Sequence, residues 1–182
     1  MSAPEPPCFV LVHGAWHDAR AWDQLREIFK ARGCRSIAAD LPIEDITVDA
    51  SGYARVIAAA VAKLGPEAPV VVGHSMSGIA VPLVPDLTPV SRLVFLAGLI
   101  PAPGQRMADI QAREDVLGDT SAVARGQQGR SYWTSIDAAI QILYHDCDPA
   151  TAQLMAARLR LQARTPHEQP CPITRFPSVP TS

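Results

Sequence analysis

In Val70-Val-Val-Gly-His-Ser-Met-Ser-Gly78 an apolar run leads straight into a serine with small residues around it. A serine at a sharp strand-to-helix turn lifts its hydroxyl clear of the sheet, which suits attack on a carbonyl and a covalent acyl intermediate. Such a turn strains the backbone at its apex and brings strand and helix close together, so positions two before and two after the serine must be small. Gly73 meets that condition. Position 77 is Ser where Gly would be the natural choice, and Gly78 follows one place later. The short Ser77 side chain is expected to be tolerated, and Gly at 77 is expected to serve as well or better.

A second segment adds the other half of an acyl-transfer site. The run Cys8 to Val12 ends in His13-Gly14-Ala15-Trp16, a loop that can aim a backbone N–H at the same point in space. The Ala15 N–H and the Met76 N–H would then stabilise an oxyanion, helped by the positive end of the helix that starts after Ser75. Each donor is worth about 3 to 4 kcal/mol by analogy with single deletions from such a hole. His74 and His13 flank these elements, but neither is read as the general base. His74 precedes the nucleophile and is expected to point away from its hydroxyl, and His13 is expected to hold its loop by hydrogen bonds. Together with Gly14, Gly73, Ser77 and Gly78 they support the turn and loop.

His145, Asp146, Asp148 and His167 fall in later segments whose spacing directs no His–Asp pair toward Ser75. His145-x-Cys147 and His167-x-x-x-Cys171 lack the C-x2-C spacing of common structural zinc sites, so no metal and no other cofactor is expected.

The elements that would position these residues alternate. Cys8 to Val12 reads as a central strand. Asp18 can cap a helix over 19–32, which ends at Gly33. A second strand over 35–41 stops at Pro42, and an acidic loop runs to Asp49. Tyr53, Val56, Ile57, Ala60, Val61 and Leu64 then keep helical spacing until Gly65-Pro66. Pro69 to Gly73 and Val90 to Ala97 are further strands, joined by a helix that starts close to Ser75. Strands alternating with helices imply right-handed crossovers and a mainly parallel sheet of about four strands, so the class is α/β. From Ile100 the pattern turns helical, notably over 136–144 and 149–162, with Asp148 as a cap and no buried strand. The division is a core over 1–100, a helical cap or lid over 101–165, and an extended tail over 166–182 that carries five prolines.

Composition sets the outer bounds. With 182 residues, 48% of them hydrophobic, one domain can bury most of its apolar surface. Sixteen basic and 18 acidic residues spread along the chain leave no electrostatic footprint for nucleic acid or an anionic membrane. The first residues lack a basic region before the short run at Cys8, and no stretch reaches membrane-spanning length, so a cytoplasmic protein is expected. Cys8, Cys34, Cys147 and Cys171 lie far apart and are expected to be thiols.

The turn at Ser75 resembles the nucleophile elbow, and the surrounding wording resembles the α/β-hydrolase superfamily, in its hydroxynitrile lyase and methylesterase branch. The resemblance rests on Phe-Val-Leu-Val-His-Gly-Ala-Trp-His at 9–17, Trp22, Ala39-Asp-Leu-Pro42, Tyr53, Gly-His-Ser-Met at 73–76 and Leu93-Val-Phe-Leu-Ala-Gly-Leu-Ile-Pro101. It covers 8–101 well and 102–165, where the family places its cap, less closely. It implies a partial α/β-hydrolase fold, a small-molecule ester as substrate and cleavage through an acyl-enzyme. The triad acid and histidine that the family places after the cap would lie beyond Ser182, so turnover by this chain is expected to be impaired. A hydroxynitrile-lyase-type C–C lyase and a catalytically inactive binding protein are the alternatives. A chain truncated in this way is expected to leave the edge of the strand over Leu93 to Leu96 open to self-association.

Overall fold

Four short apolar runs pair side by side. Phe9–Val12 (β1), Ser36–Ala39 (β2), Val70–His74 (β3) and Arg92–Leu96 (β4) form a parallel sheet in the order β2-β1-β3-β4. The computed structural model describes residues 6–113 and 119–182. β1 and β3 lie inside the sheet, covered on both faces, which is why their sequences are continuous runs of Val and Leu without alternation. Val10, Leu11, Val12 and Val71 are fully buried. The register pairs Val12 with Gly73. The loops that follow β1 and β3 therefore leave the sheet next to each other, and these are the two segments singled out above for chemistry.

The flanking helices follow their caps. Asp18 accepts from the Arg20 N–H at 2.9 Å and opens a 3-10 turn, Ala19–Trp22, that runs into α1 (Asp23–Ala31), with Gly33 at φ +74° closing it. Asp49 accepts from the Gly52 N–H at 2.7 Å and caps α2 (Ala50–Leu64), which ends at Gly65 with φ +114°. α2 turns Tyr53, Ile57 and Val61 into the core against Val10, Val12, Val71, Met76 and Leu93. Burying each large apolar side chain of this set contributes about 1.5 to 3 kcal/mol.

Between β3 and β4 the structure departs from a regular helix. Ser75–Ile79 and Val81–Asp86 are two 3-10 turns. Pro82 and Pro85 remove backbone donors and clash with preceding carbonyls, so no α-helix can run through them.

After β4 come α3 (Met107–Arg113), β5 (Val123–Arg125), β6 (Arg130–Trp133), α4 (Ile136–Leu143), α5 (Pro149–Ala156), β7 (Gln162–Ala163) and α6 (Thr165–Glu168). β5, β6 and β7 form an antiparallel sheet that the helical reading of this segment did not anticipate. The runs are only two to four residues long, too short for alternation to register. α5 also stops at Ala156, short of the expected 162. The Arg160 N–H binds the Trp16 carbonyl at 2.8 Å and the Ala163 N–H binds the Ile43 carbonyl at 2.6 Å, which draws the chain out of the helix and across the core.

The tail corrects a second expectation. Its last residues pair with β4: Leu93 N–H donates to Pro180 O at 2.9 Å, Phe95 N–H to Ser182 O at 2.9 Å, and Ser182 N–H to Leu93 O at 3.0 Å. Thr181 thus pairs in parallel with Leu93, and Phe176 packs its ring near Phe95. The β4 edge expected to stand open is occupied over Leu93 to Phe95. Proline at 177 and 180 disguises this pairing in the sequence, because proline is tolerated at strand starts and edges. Among the described residues no helix is long and apolar enough to cross a membrane.

Candidate active site

Ser75 stands at the C-terminal end of β3 with φ +51°, in the left-handed region that an L-residue enters only at a cost of about 1 to 3 kcal/mol. Three contacts hold it there. The Leu99 N–H donates to Ser75 O at 2.9 Å. The Ser77 hydroxyl, fully buried, lies 2.9 Å from His74 O and 3.4 Å from Val12 O. Gly73 packs so closely that a methyl at its Cα would stand 2.6 Å from Val81 Cγ2, and one on Gly78 would collide with the Leu99 carbonyl. The expectation for Ser77 changes accordingly: glycine there would strip the turn of a hydroxyl that bridges the ends of β1 and β3.

The loop after β1 lies against the serine. A methyl on Gly14 would meet His74 Nδ1 at 3.1 Å and Ser75 Cβ at 3.2 Å, so only glycine lets the backbone come this near. The carbonyls that follow are each held. His13 Nδ1 donates to Gly14 O at 2.9 Å while its Nε2 accepts the Leu41 N–H at 2.9 Å. His13 Nε2 also lies 3.4 Å from Asp40 Oδ1. Because that nitrogen accepts the Leu41 N–H it carries no proton, and the contact with Asp40 is not an ion pair. His17 Nδ1 donates to Ala15 O at 2.7 Å, and Trp16 O receives the Arg160 N–H. Trp16 itself sits at φ +62° with its indole N–H 3.2 Å from Ser131 Oγ. The Gly14–Ala15 peptide carries both the Gly14 carbonyl and the Ala15 N–H, so His13 fixes the direction of that N–H and polarises it. Among the described residues the Ala15 N–H has no backbone acceptor, and Met76 lies in the first turn, where donors have none in the helix itself.

Beside His74 a cavity of about 450 Å³ opens between α1 and the α4–α5 pair. Trp22, Leu96, Leu143, Leu154 and Met155 make it apolar, and His17, Tyr144 and Arg158 give it polar corners. A roomier cleft of about 570 Å³ beside Asp49 and Arg55 touches none of these groups. Trp22 is buried edge-on to His74, with ring centroids 6.2 Å apart, and its indole N–H has no partner among the described residues. Burial lowers the pKa of His74 below the ordinary histidine value, and the neighbouring His17 and His13 push the same way.

No histidine among the described residues is hydrogen-bonded to Ser75. His145 is exposed and Asp148 caps α5 through the Thr151 N–H at 3.0 Å. His167 is buried against Gln111 at 3.3 Å. The four cysteines are free thiols, and no group of three or more metal-ligating side chains stands together among the described residues. Sequence reasoning passed over His17 and Tyr144. His17 follows the loop directly and was within reach of that reading. Tyr144, 127 residues away, carried no signal of its own.

Against known proteins, the model of the alpha/beta hydrolase family matches residues 9–182. Among curated proteins the chain is 35% identical over 109 residues to a probable esterase, PIR7A, of Oryza sativa subsp. indica, a match covering 54% of this chain and 41% of that protein. It is 34% identical over 110 residues to esterase PIR7B of Oryza sativa subsp. japonica, with the same coverage. The chain thus spans 41% of the length of the curated relatives it matches. Among solved structures, an extracellular alpha/beta-hydrolase from a Paenibacillus species superposes with a TM-score of 0.74 at 19% identity, covering 97% of this chain and 76% of that one. A pyrethroid hydrolase from Sphingobium faniae gives 0.70 at 21% identity, with coverage of 93% and 73%. Tomato methylketone synthase I gives 0.70 at 24% identity, with coverage of 86% and 67%. At these identities the three structures speak for the fold alone.

Proposed function

Because the chain belongs to the α/β-hydrolase family, matched over residues 9–182, we propose that it is built to cleave small carboxylic esters through Ser75. The observation that carries this reading is the left-handed backbone of Ser75 at the end of β3, with Gly14 pressed against it. Strain of this kind is kept only where the surroundings impose it, and it lifts the hydroxyl into the space beside the loop. In the proposed reaction Ser75 Oγ attacks the ester carbonyl and the Ala15 and Met76 N–H groups take up the oxyanion. The alcohol then leaves and water releases the acid from the acyl-enzyme. The apolar walls of the 450 Å³ cavity suit small apolar acyl or alkyl groups, and the segment over 101–165 acts as a cap.

The reaction requires an acceptor for the Ser75 proton. His13 has both ring nitrogens engaged, and so has His17. No histidine among the described residues is hydrogen-bonded to Ser75, so this reading assigns the triad acid and histidine to none of them, and the chain spans 41% of the curated relatives' length. Removing the base from a serine triad costs about 10⁶ in kcat and leaves roughly 10³ to 10⁴ over water from the oxyanion hole and binding. The test is p-nitrophenyl acetate hydrolysis with Ser75→Ala as control, on this chain and on one extended by the sequence downstream of its gene segment. Ser75-dependent hydrolysis is expected at ordinary enzymatic rate in the extended chain and far below it in the 182-residue chain. Equal turnover in the Ser75→Ala variant would remove the serine from the mechanism.

A further inference from the structure

The Ala15 carbonyl is tied to the cap by two side chains in series. Tyr144 Oη lies 2.7 Å from His17 Nε2, and His17 Nδ1 lies 2.7 Å from Ala15 O. Since Nδ1 must carry the proton to bind a carbonyl, Nε2 is the acceptor and the phenol is the donor. The direction is therefore set: Tyr144 O–H to His17, His17 N–H to Ala15 O. Tyr144 follows the last residue of α4, so the phenol reports where α4 sits. Ala15 supplies one of the two backbone donors of the proposed oxyanion hole.

We propose that Tyr144 and His17 are a positioning pair through which seating of α4 on the core holds the Ala15–Trp16 peptide and so restrains, across the Ala15 Cα, the adjoining peptide that carries the Ala15 N–H. The inference rests on the acyl-transfer reading above for its catalytic meaning and on geometry alone for the coupling. Neighbouring contacts act in the same sense. Trp16, one residue on, is clamped through its carbonyl by Arg160 and through its indole by Ser131, and its ring packs edge-on to Trp133 at 5.7 Å. The loop after β1 is thus held from the core side by His13 and from the other side by Tyr144, Arg160 and Ser131. With φ +62° at Trp16 the loop has no low-energy reason to keep this shape by itself. Burial also lowers the pKa of His17 and raises that of Tyr144, which keeps both groups neutral at pH 7 and able to make this pairing. A preformed donor is worth most when it does not have to reorganise as charge develops, and the pair supplies that rigidity.

Two variants separate this role from simple packing. Tyr144→Phe keeps the ring and removes the donor. His17→Asn keeps a donor close to the Nδ1 position, and so the Ala15 contact, but cannot reach Tyr144. The readouts are the imidazole ¹⁵N shifts of His17, the ¹⁵N order parameter of Ala15, and the labelling of Ser75 by a fluorophosphonate, resolved into its maximal rate and its half-saturating concentration. In the native chain His17 is expected in the Nδ1–H form and Ala15 in the rigid range near about 0.85. Tyr144→Phe is expected to relax the tautomer toward a mixture, lower the Ala15 order parameter and slow the maximal labelling rate several-fold, leaving the half-saturating concentration unchanged. In a His17→Asn background the same Tyr144→Phe change is expected to do nothing further. An unaltered Ala15 order parameter in Tyr144→Phe, or an undiminished effect of that change in the His17→Asn background, overturns the proposal. Labelling is read on the extended chain of the hydrolysis test; if that chain is not labelled at Ser75 at all, it is the acyl-transfer reading that fails, and the shifts and order parameter still decide the coupling.

Discussion

Gly14 lies so close to Ser75 that a methyl group on its Cα would stand 3.2 Å from the serine Cβ. The same methyl would press on His74 Nδ1 at 3.1 Å, so neither neighbour can yield without moving the other. Gly14→Ala is expected to push the loop away from the elbow, at a stability cost of about 1 to 3 kcal/mol for overpacking. Because the Ala15 N–H moves with it, Ser75-dependent hydrolysis in the extended chain should fall by about 10². Kinetics and urea denaturation of the same variant check both numbers. Full activity with normal stability would mean that the loop does not approach the serine as described.

The strain at Ser75 gives a second expectation that needs no assay of activity. At φ +51° an alanine is as strained as the serine, whereas glycine enters that region freely. Ser75→Gly should therefore be more stable than Ser75→Ala by about 1 kcal/mol, a shift in Tm of about 2 to 4 °C at this chain length. The comparison between the two inactive variants cancels the loss of the hydroxyl. A glycine variant that melts no higher than the alanine variant would show an unstrained turn.

Ser77 is expected to behave as a structural hydroxyl. Both Ser77→Ala and Ser77→Gly leave the half-buried His74 carbonyl without its 2.9 Å partner, at a cost of about 1 kcal/mol. Thermal melting of the two variants tests this: melting at or above the native temperature in Ser77→Gly would restore the simpler view that the smallest residue is the best one here.

The parallel sheet was legible because its inner strands are covered on both faces and therefore write themselves as unbroken runs, Phe9–Val12 and Val70–His74. The caps at Asp18 and Asp49 were legible because capping is a local event between residues two or three apart. What the sequence hid was of two kinds. β5, β6 and β7 are too short to show a period, and the pairing of Thr181 with Leu93 joins residues 88 apart through a stretch that prolines mask. At the candidate site the sharp turn at Ser75 and the close-packed glycine at 14 were legible because turn chemistry restricts residue type. The partners that fix them, Tyr144 on His17 and Arg160 on Trp16, come from distant segments whose approach no local pattern encodes.

His167 should make the fold acid-sensitive. It is a buried residue of α6 facing α3, with Nδ1 near Gln111 Oε1 and Nε2 without a partner among the described residues. Burial pushes its pKa down to about 4, well below the ordinary histidine value; Arg164 also lowers it, and Glu168 offsets this only in part. The sign follows from where the proton binds. Below about pH 6.5 the unfolded chain takes up a proton that the folded chain refuses, so stability falls as pH drops and levels off near pH 4. Over that window the penalty is on the order of 3 kcal/mol. Burial lowers the pKa of His17 and His74 as well, which adds to the slope without changing its direction. His167→Phe removes the titration and the unpartnered nitrogen while keeping an aromatic ring in the site. Its free energy of unfolding in urea is expected to stay within about 1 kcal/mol of the native chain's at pH 7.5, and to fall much less between pH 6.5 and 4.5. Parallel decline of the two proteins over that range would show that His167 takes up its proton in the folded state and does not set the acid limit.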